Sequence, residues 1–362
     1  MIARSNPPAT PKHIQGYSGD WWKWKASITQ TIVSLLLAVA LLSGCEKDEA
    51  PEALVAVPAW FPALPVPADN QLTPARIALG RRLFYEPLLS VDSSKSCASC
   101  HIQVLGFADA NPISVGVHHR VGLRNVPTLT NIAYVPNLFA EGGVNSLELQ
   151  AQAPIFNPDE MGFTIAGFLE RIATDATYTA MFEAAYDRAP DAYGISRALA
   201  AFERTLISGH SRYDQFEYLG DANALSEAEK RGKDLFFSAQ TQCSACHTPP
   251  LFTTLEYANI GLYTTYADSG RARLTTLPED RGKFRIPTLR NVALTAPYMH
   301  NGSMSTLAEV VAHFNSGGVA HPNKSNLIQP LNLSTAEQAD LVAFLGALTD
   351  EVFVANTEFG QP

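Results

Sequence analysis

The stretch KSCASCHIQ, residues 95–103, sets two thiols three positions apart with an imidazole directly behind the second, and TQCSACHTP, residues 241–249, repeats the arrangement. This is the spacing in which two thiols add to the vinyl groups of a haem as thioethers while the adjacent imidazole reaches the iron. A zinc site or a thioredoxin-like dithiol also uses paired cysteines, but neither needs a histidine after both pairs. The chain holds five cysteines; Cys97, Cys100, Cys243 and Cys246 take up four, and only Cys45 lies outside the two motifs. The motifs therefore predict two covalently bound haem c groups, with His101 and His247 as proximal ligands.

Cys45 has a different context. Arg4, Lys12, Lys23 and Lys25 precede the apolar run TIVSLLLAVALL, Thr31–Leu42, which is short for a bilayer span and has the length of a signal-peptide core. It runs into LSGC, which resembles a bacterial lipobox, so residues 1–44 are read as a lipoprotein signal peptide and Cys45 as the lipidated first residue. The alternative is an uncleaved anchor helix. Both place the remainder outside the cytoplasm, in the periplasm and lipid-anchored on the first reading. There, spare thiols would normally pair as disulfides, and none is spare.

The 362 residues are 46% hydrophobic, enough for about two cores of roughly 100–200 residues each. Without residues 1–44, 22 basic side chains face 34 acidic ones, a net charge of −12. That balance disfavours nucleic acid and anionic lipid as partners and suits a small basic electron carrier.

The Pro/Ala-rich PEALVAVPAWFPALPVP, residues 51–67, reads as a semi-rigid tether within residues 45–70. Helix signals dominate beyond it. Thr73-Pro74 opens ARIALGRRLF, and capping boxes stand at Ser226/Glu229, Thr306/Glu309 and Ser334/Glu337. The chain also echoes itself: GRRLF (80–84) with GKDLF (232–236), PTLTNIA (127–133) with PTLRNVA (287–293), and EGGVNSLELQAQAP (141–154) with NGSMSTLAEVVAHF (301–314). These pairings predict a mainly α fold of two tandem cytochrome c-like haem domains, residues 71–224 and 225–362, related by an internal repeat.

The pairing also separates the two haems. The helix from Leu307 has an inward face of Leu307, Val310, Val311 and Phe314. The position paired with Phe314 is Pro154, which has no atom that binds iron, so the sixth position of the first haem is predicted to be open. Glu160, in FNPDEMGF, lies six residues further on. A carboxyl there can carry a proton between the two oxygens of a bound peroxide, and burial beside Ile155 and Phe156 would raise its pKa. The alternative is a helix-capping, ion-paired glutamate.

Over residues 66–355 the chain resembles the bacterial dihaem cytochrome c peroxidases, the family that includes MauG. The resemblance rests on the two haem motifs with NPDEMG, AFERTLISG, RIPTLRNVALTAPYMHNGS and LTDEVF. Its C-terminal part is similar to the MbnH branch, whose members oxidise a tryptophan on a partner protein. The resemblance implies a peroxidatic N-terminal haem with a distal pocket of Gln150, Pro154 and Glu160, and an electron-transfer C-terminal haem. It implies an inter-domain calcium ion at Asn125 and the carbonyls of Thr295 and Pro297, a gating loop histidine near His118, and often a homodimer. A solvated loop is the alternative for His118. The chain departs from the family at LFAEGG, residues 138–143, where Ala140 stands at the place of a tryptophan between the haems, and at Phe314, where relatives supply Met or Tyr to the second iron. His313 is the nearest imidazole, turned about 100° from Phe314; it is either the distal ligand or a solvated helix-edge residue. All four tryptophans (21, 22, 24 and 60) precede the first haem domain, so no core tryptophan is expected to relay oxidising equivalents.

Three functions follow from this reading. The first is a peroxidase that reduces hydrogen peroxide with electrons from a small cytochrome or cupredoxin. The second is a peroxide-dependent oxidase of Trp or Tyr on a partner protein, and the third a plain electron-transfer cytochrome.

Overall fold

The computed structural model describes residues 54–362; the expected signal peptide, Cys45 and three of the four tryptophans lie outside them. The described chain is mainly helical. Its one sheet is a two-residue antiparallel pair, Tyr257↔Arg285 and Ala258↔Phe284. No helix among the described residues is long and apolar enough to cross a membrane.

The expected caps form. Thr73 accepts from the amide of Arg76 at the start of helix Pro74–Phe84. The capping boxes at Ser226, Thr306 and Ser334 open helices Glu227–Phe236, Leu307–Ser316 and Thr335–Gly346. In each, the hydroxyl accepts one free first-turn amide and the acidic side chain accepts another, groups that would otherwise be left without partners.

These helices pair in two like crossings. Pro74–Phe84 packs on Ala192–Glu203, and Glu227–Phe236 on Thr335–Gly346. The contact is set by glycine each time: a Cβ on Gly80 would stand 1.9 Å from the carbonyl oxygen of Ala198, and one on Gly232 1.9 Å from that of Asp340. Only hydrogen in place of a side chain permits such an approach. Phe202 and Phe344, each four residues further along the same helix than that carbonyl, close the two crossings, with their Cβ atoms 2.9 and 2.8 Å from those same two glycine Cβ positions. Two separate cores result, one running from Leu79 to Leu206 and one from Tyr213 to Leu348.

Packing crosses the expected 224/225 boundary in both directions. Tyr213 belongs to the second core, where Asp214 forms a fully buried two-pronged ion pair with Arg290, both bonds 2.8 Å. Phe353 joins the first core, and the segment behind it is tied there by Arg81 Nε to Gly360 O and Tyr85 Oη to Phe359 O. Asp350 forms the hinge of this return: its Oδ2 accepts from Ser208 Oγ, Gly209 N and His210 N, and its amide donates to Asn291 Oδ1.

The expected tether is folded onto this body from Pro58 onward. Phe61 is buried against Tyr134 and beneath the Arg290 guanidinium, and Tyr134 Oη donates to Pro62 O at 3.0 Å. Trp60 stacks on Tyr218, with 4.8 Å between ring centroids and 11° between planes. A tryptophan that precedes the first haem domain in sequence is therefore part of the packed body.

Candidate active site

A single cavity of about 1230 Å³ runs between the two motifs, lined by Cys97, Cys100 and His101 at one end and Cys243, Cys246 and His247 at the other. Ligand pockets usually measure roughly 300–1,000 Å³, so this space exceeds one ordinary ligand.

Both histidines are presented in the same way. His101 Nδ1 donates to Phe107 O at 2.9 Å and His247 Nδ1 to Phe252 O at 3.1 Å. A carbonyl only accepts, so the proton sits on Nδ1 and the Nε2 lone pair is left for a metal. Phe107 and Phe252 adopt positive φ, 61° and 53°, which turns the chain back behind each motif. Burial lowers the pKa of both rings, that of His247 to about 4, so both are neutral and able to ligate. The four thiols are unpaired, and burial raises them, Cys100 to about 11. Four cysteines in reduced form, two imidazoles with free Nε2 and a mostly apolar cavity fit two haem c groups.

Gln150, Pro154 and Glu160 all line the cavity, and the Glu160 carboxylate is near enough to Cys97 and Cys100 to raise both thiols. The short helix Ala153–Phe156 presents Pro154, and the turn after it is closed by Met161 N to Pro154 O and Glu160 N to Asn157 O. Asn157 Nδ2 donates to Glu160 Oε1 at 2.7 Å, which leaves Oε2 for a substrate. Burial raises the Glu160 pKa; the Asn157 bond opposes this and the Asp159 charge adds to it. Among the described residues the side-chain partner of Glu160 is thus the Asn157 amide and not a basic group.

Sequence reasoning missed Glu203. It follows Phe202 at the glycine crossing, is 5% exposed, lines the cavity, and has a buried Oε2 without a hydrogen-bond partner. Burial pushes its pKa to about 8, against the opposing charge of Arg204. That guanidinium is already engaged by Glu148, at 2.7 and 3.1 Å, and cannot satisfy both carboxylates fully. Nothing local in AFERTL marks Glu203; only the depth of the crossing does.

Two expected site residues are not brought to the cavity. His313 Nε2 bonds to Ile260 O at 3.1 Å, and its ring lies outside the lining. Leu307, Val310, Val311 and Phe314 do line it, as the helical phase requires, so that helix offers the second iron only hydrocarbon. Of the two readings for His313, distal ligand or helix-edge residue, the bond to Ile260 O holds the ring at the helix edge in the structure. His118 is exposed, with Nδ1 3.5 Å from Asp92 Oδ2, and does not line the cavity. Its loop is clamped onto the Glu160 segment by Val117 N to Glu160 O at 2.8 Å, so in this structure it does not block the first site.

Asn125, Thr295 and Pro297 do share the cavity wall. Asn125 Nδ2 donates to Asn111 O and Pro112 O, which leaves its Oδ1 as an oxygen donor. Beside Ala140, the space between the motifs is bordered by charge. Glu141 receives Arg124 and Arg273, and Arg124 also grips Asp268 with bonds of 2.6 and 2.9 Å.

A model of the family described as di-haem cytochrome c peroxidase matches residues 74–223. The chain is 36% identical to the cytochrome-c peroxidase IdrP1 of Denitromonas iodatirespirans, over 88% of this chain and 93% of that one. It is also 36% identical to the methylamine utilization protein MauG of Methylorubrum extorquens, over 84% and 87%. Among solved structures, a MauG-like protein associated with microbial copper homeostasis matches with a TM-score of 0.80 at 36% identity, covering 84% of this chain and 98% of that one. The chain therefore belongs to the dihaem cytochrome c peroxidase family. It is an oxidoreductase of peroxidase type, and membership implies two c-type haems.

Proposed function

We propose that the protein reduces hydrogen peroxide at the His101 site, using electrons that arrive from a small redox protein through the His247 site. The observation that carries this reading is the placing of Glu160: a carboxyl with a raised pKa, fixed by Asn157 and open at Oε2, in the cavity served by His101. A haem held by Cys97, Cys100 and His101 supplies an iron coordination position and redox equivalents.

The chain supplies the rest. Glu160 Oε2 takes the proton from the near oxygen of peroxide and returns it to the far oxygen as water leaves, and the Asn157 amide keeps the carboxyl oriented through both transfers. Gln150 borders the same space with an amide, and Pro154 contributes no competing ligand. The complete reaction consumes one peroxide, two electrons and two protons and yields two waters. The His247 site, faced by Leu307, Val310, Val311 and Phe314, offers no proton carrier from that helix, which suits electron transfer.

A second reading, oxidation of a Trp or Tyr on a partner protein, is favoured by the similarity to MauG and to the MauG-like structure. In either reading the two cores are copies of one haem domain, Cys45 carries the lipid anchor in the periplasm, and a calcium ion takes Asn125 Oδ1 with the carbonyls of Thr295 and Pro297. The test is to mix holoprotein with hydrogen peroxide and a reduced small cytochrome or cupredoxin. Peroxide-dependent oxidation of the donor is expected; oxidation of a co-expressed partner without donor turnover would establish the second reading. No spectral response of either haem to peroxide would overturn both.

A further inference from the structure

Trp60, Tyr218 and Tyr213 form a file of oxidisable rings that ends behind the proximal histidine of the second site. Trp60 lies nearly parallel on Tyr218 at 4.8 Å, Tyr218 meets Tyr213 edge to face at 6.0 Å, and Tyr213 meets Phe252 edge to face at 5.0 Å. Phe252 is the residue whose carbonyl accepts from His247 Nδ1. Burial deepens along the file: Trp60 and Tyr218 are half-buried, while Tyr213 is 2% exposed.

The first site provides an internal contrast. Phe107, which supports His101 in the same way, is surrounded by Phe84, Phe353 and Phe359. Indole and phenol give up an electron far more readily than phenyl. The stacking and edge-to-face geometries are those aromatic rings adopt for packing, so packing accounts for the contacts. Phe252 also meets Phe236 and Phe344, and at the first site Tyr85 stands one ring further out, against Phe84. What packing leaves unexplained is that Phe252 has a tyrosine among its direct ring neighbours, leading on to Tyr218 and Trp60, while Phe107 has only phenylalanines.

We propose that Trp60, Tyr218 and Tyr213 are an electron relay joining the surface at half-buried Trp60 to the second haem. The proposal rests on the peroxidase reading for its natural oxidant, hydrogen peroxide. Where peroxide has taken the second haem above its resting ferric level, that haem would be a strong enough oxidant to draw an electron from the Trp60 indole by way of the Tyr218 and Tyr213 rings. The indole is left as a cation radical that keeps its proton, because Nε1 is buried with no hydrogen-bond partner to receive it. One electron from the external reductant restores the indole. Two such passages balance one peroxide.

The experiment uses the holoprotein and two oxidants. In the first arm, peroxide is added without donor and the sample is freeze-quenched for electron paramagnetic resonance. An indole radical is expected in the wild type and its loss in Trp60→Phe, with the peroxide response of the first haem's Soret band preserved. In the second arm, which needs no peroxide chemistry, a ruthenium tris-bipyridine flash-quench oxidant is fired at ferrous protein. Oxidation of the second haem is expected to lose its fast phase in Trp60→Phe and in Tyr213→Phe. An unchanged fast phase in both variants overturns the relay. Loss of that phase with no peroxide response in the wild type keeps the relay and overturns the peroxidase reading. Phe preserves the stacking, and haem content and melting temperature check folding; should Trp60→Phe fail to fold, Tyr218→Phe replaces it with the same expected losses.

Discussion

At the helix crossing of the first half, the residue after the closing phenylalanine is Glu203; at the crossing of the second half it is Leu345, and both side chains line the cavity. The two crossings share their glycines and phenylalanines, so the backbone has no need of the difference. The first end of the cavity carries two carboxyl groups with raised pKa, Glu160 and Glu203, and the second carries Leu345, Val310, Val311 and Phe314. Proton-handling carboxyls at the first end, and only hydrocarbon from helices Leu307–Ser316 and Thr335–Gly346 at the second, are what a protein needs if peroxide is to be cleaved at only one of two haems.

Four substitutions break or sharpen this contrast. Glu160→Gln keeps size and the Asn157 bond while removing the mobile proton. Peroxide reaction at the first haem should slow by about 10²–10⁴, the usual worth of general acid–base assistance, or roughly 3–5 kcal/mol. Stopped-flow recording of the Soret band measures this; a normal rate with a lowered melting temperature would reduce Glu160 to a structural residue. Leu345→Glu copies the first end into the second and buries a carboxyl with no prepared partner, a change expected to cost on the order of 3 kcal/mol near neutral pH. Denaturant unfolding reads it, and a cost within scatter would show that the second end is not as closed to water as the structure indicates.

Glu203→Gln tests the same physics in its native place. The folded pKa of Glu203 is raised to about 8, so the native state binds a proton that the unfolded state releases near its ordinary value of 4.5. The contribution is fully present below the unfolded pKa and is lost as pH rises towards 8, with a limiting slope of about 1.4 kcal/mol per pH unit. Melting temperatures taken from pH 5 to 8 should decline in the wild type more than in Glu203→Gln; parallel curves would mean that Glu203 is ionised throughout. The smallest effect is expected for His313→Ala. It removes one hydrogen bond to Ile260 O, worth about 0.5–1.5 kcal/mol, and should leave the paramagnetic resonance of the second haem unaltered. A changed signal would restore His313 as an iron ligand.

The two haem motifs, the proximal histidines, the capping boxes and the inward face of helix Leu307–Ser316 were legible because each rests on spacing within one short segment. Pro154 and Glu160 were legible as a pair because a proline at a ligand position removes chemistry whatever surrounds it. His313 stood at a helix edge where phase alone left two readings, and the partner its ring finds in the structure, Ile260, is 53 residues away. His118 depended on Asp92 and on the clamp to Glu160 in the same way.

By its own order of residues, then, the sequence determined what is covalent or local: which thiols can bind haem, which imidazoles follow them, where helices start, and that Phe314 cannot ligate iron. Tertiary structure alone decided what depends on depth and on distant partners. Glu203 is a buried carboxyl without its neighbour's charge in full because Arg204 bonds to Glu148, 56 residues back, while Glu203 stays in the crossing. A Pro-rich segment became packed structure because the junction of the two cores offered Tyr134, Arg290 and Tyr218 as a surface for Phe61 and Trp60. Desolvation and ring-to-ring contact depend on three-dimensional neighbours, and spacing along the chain does not specify them.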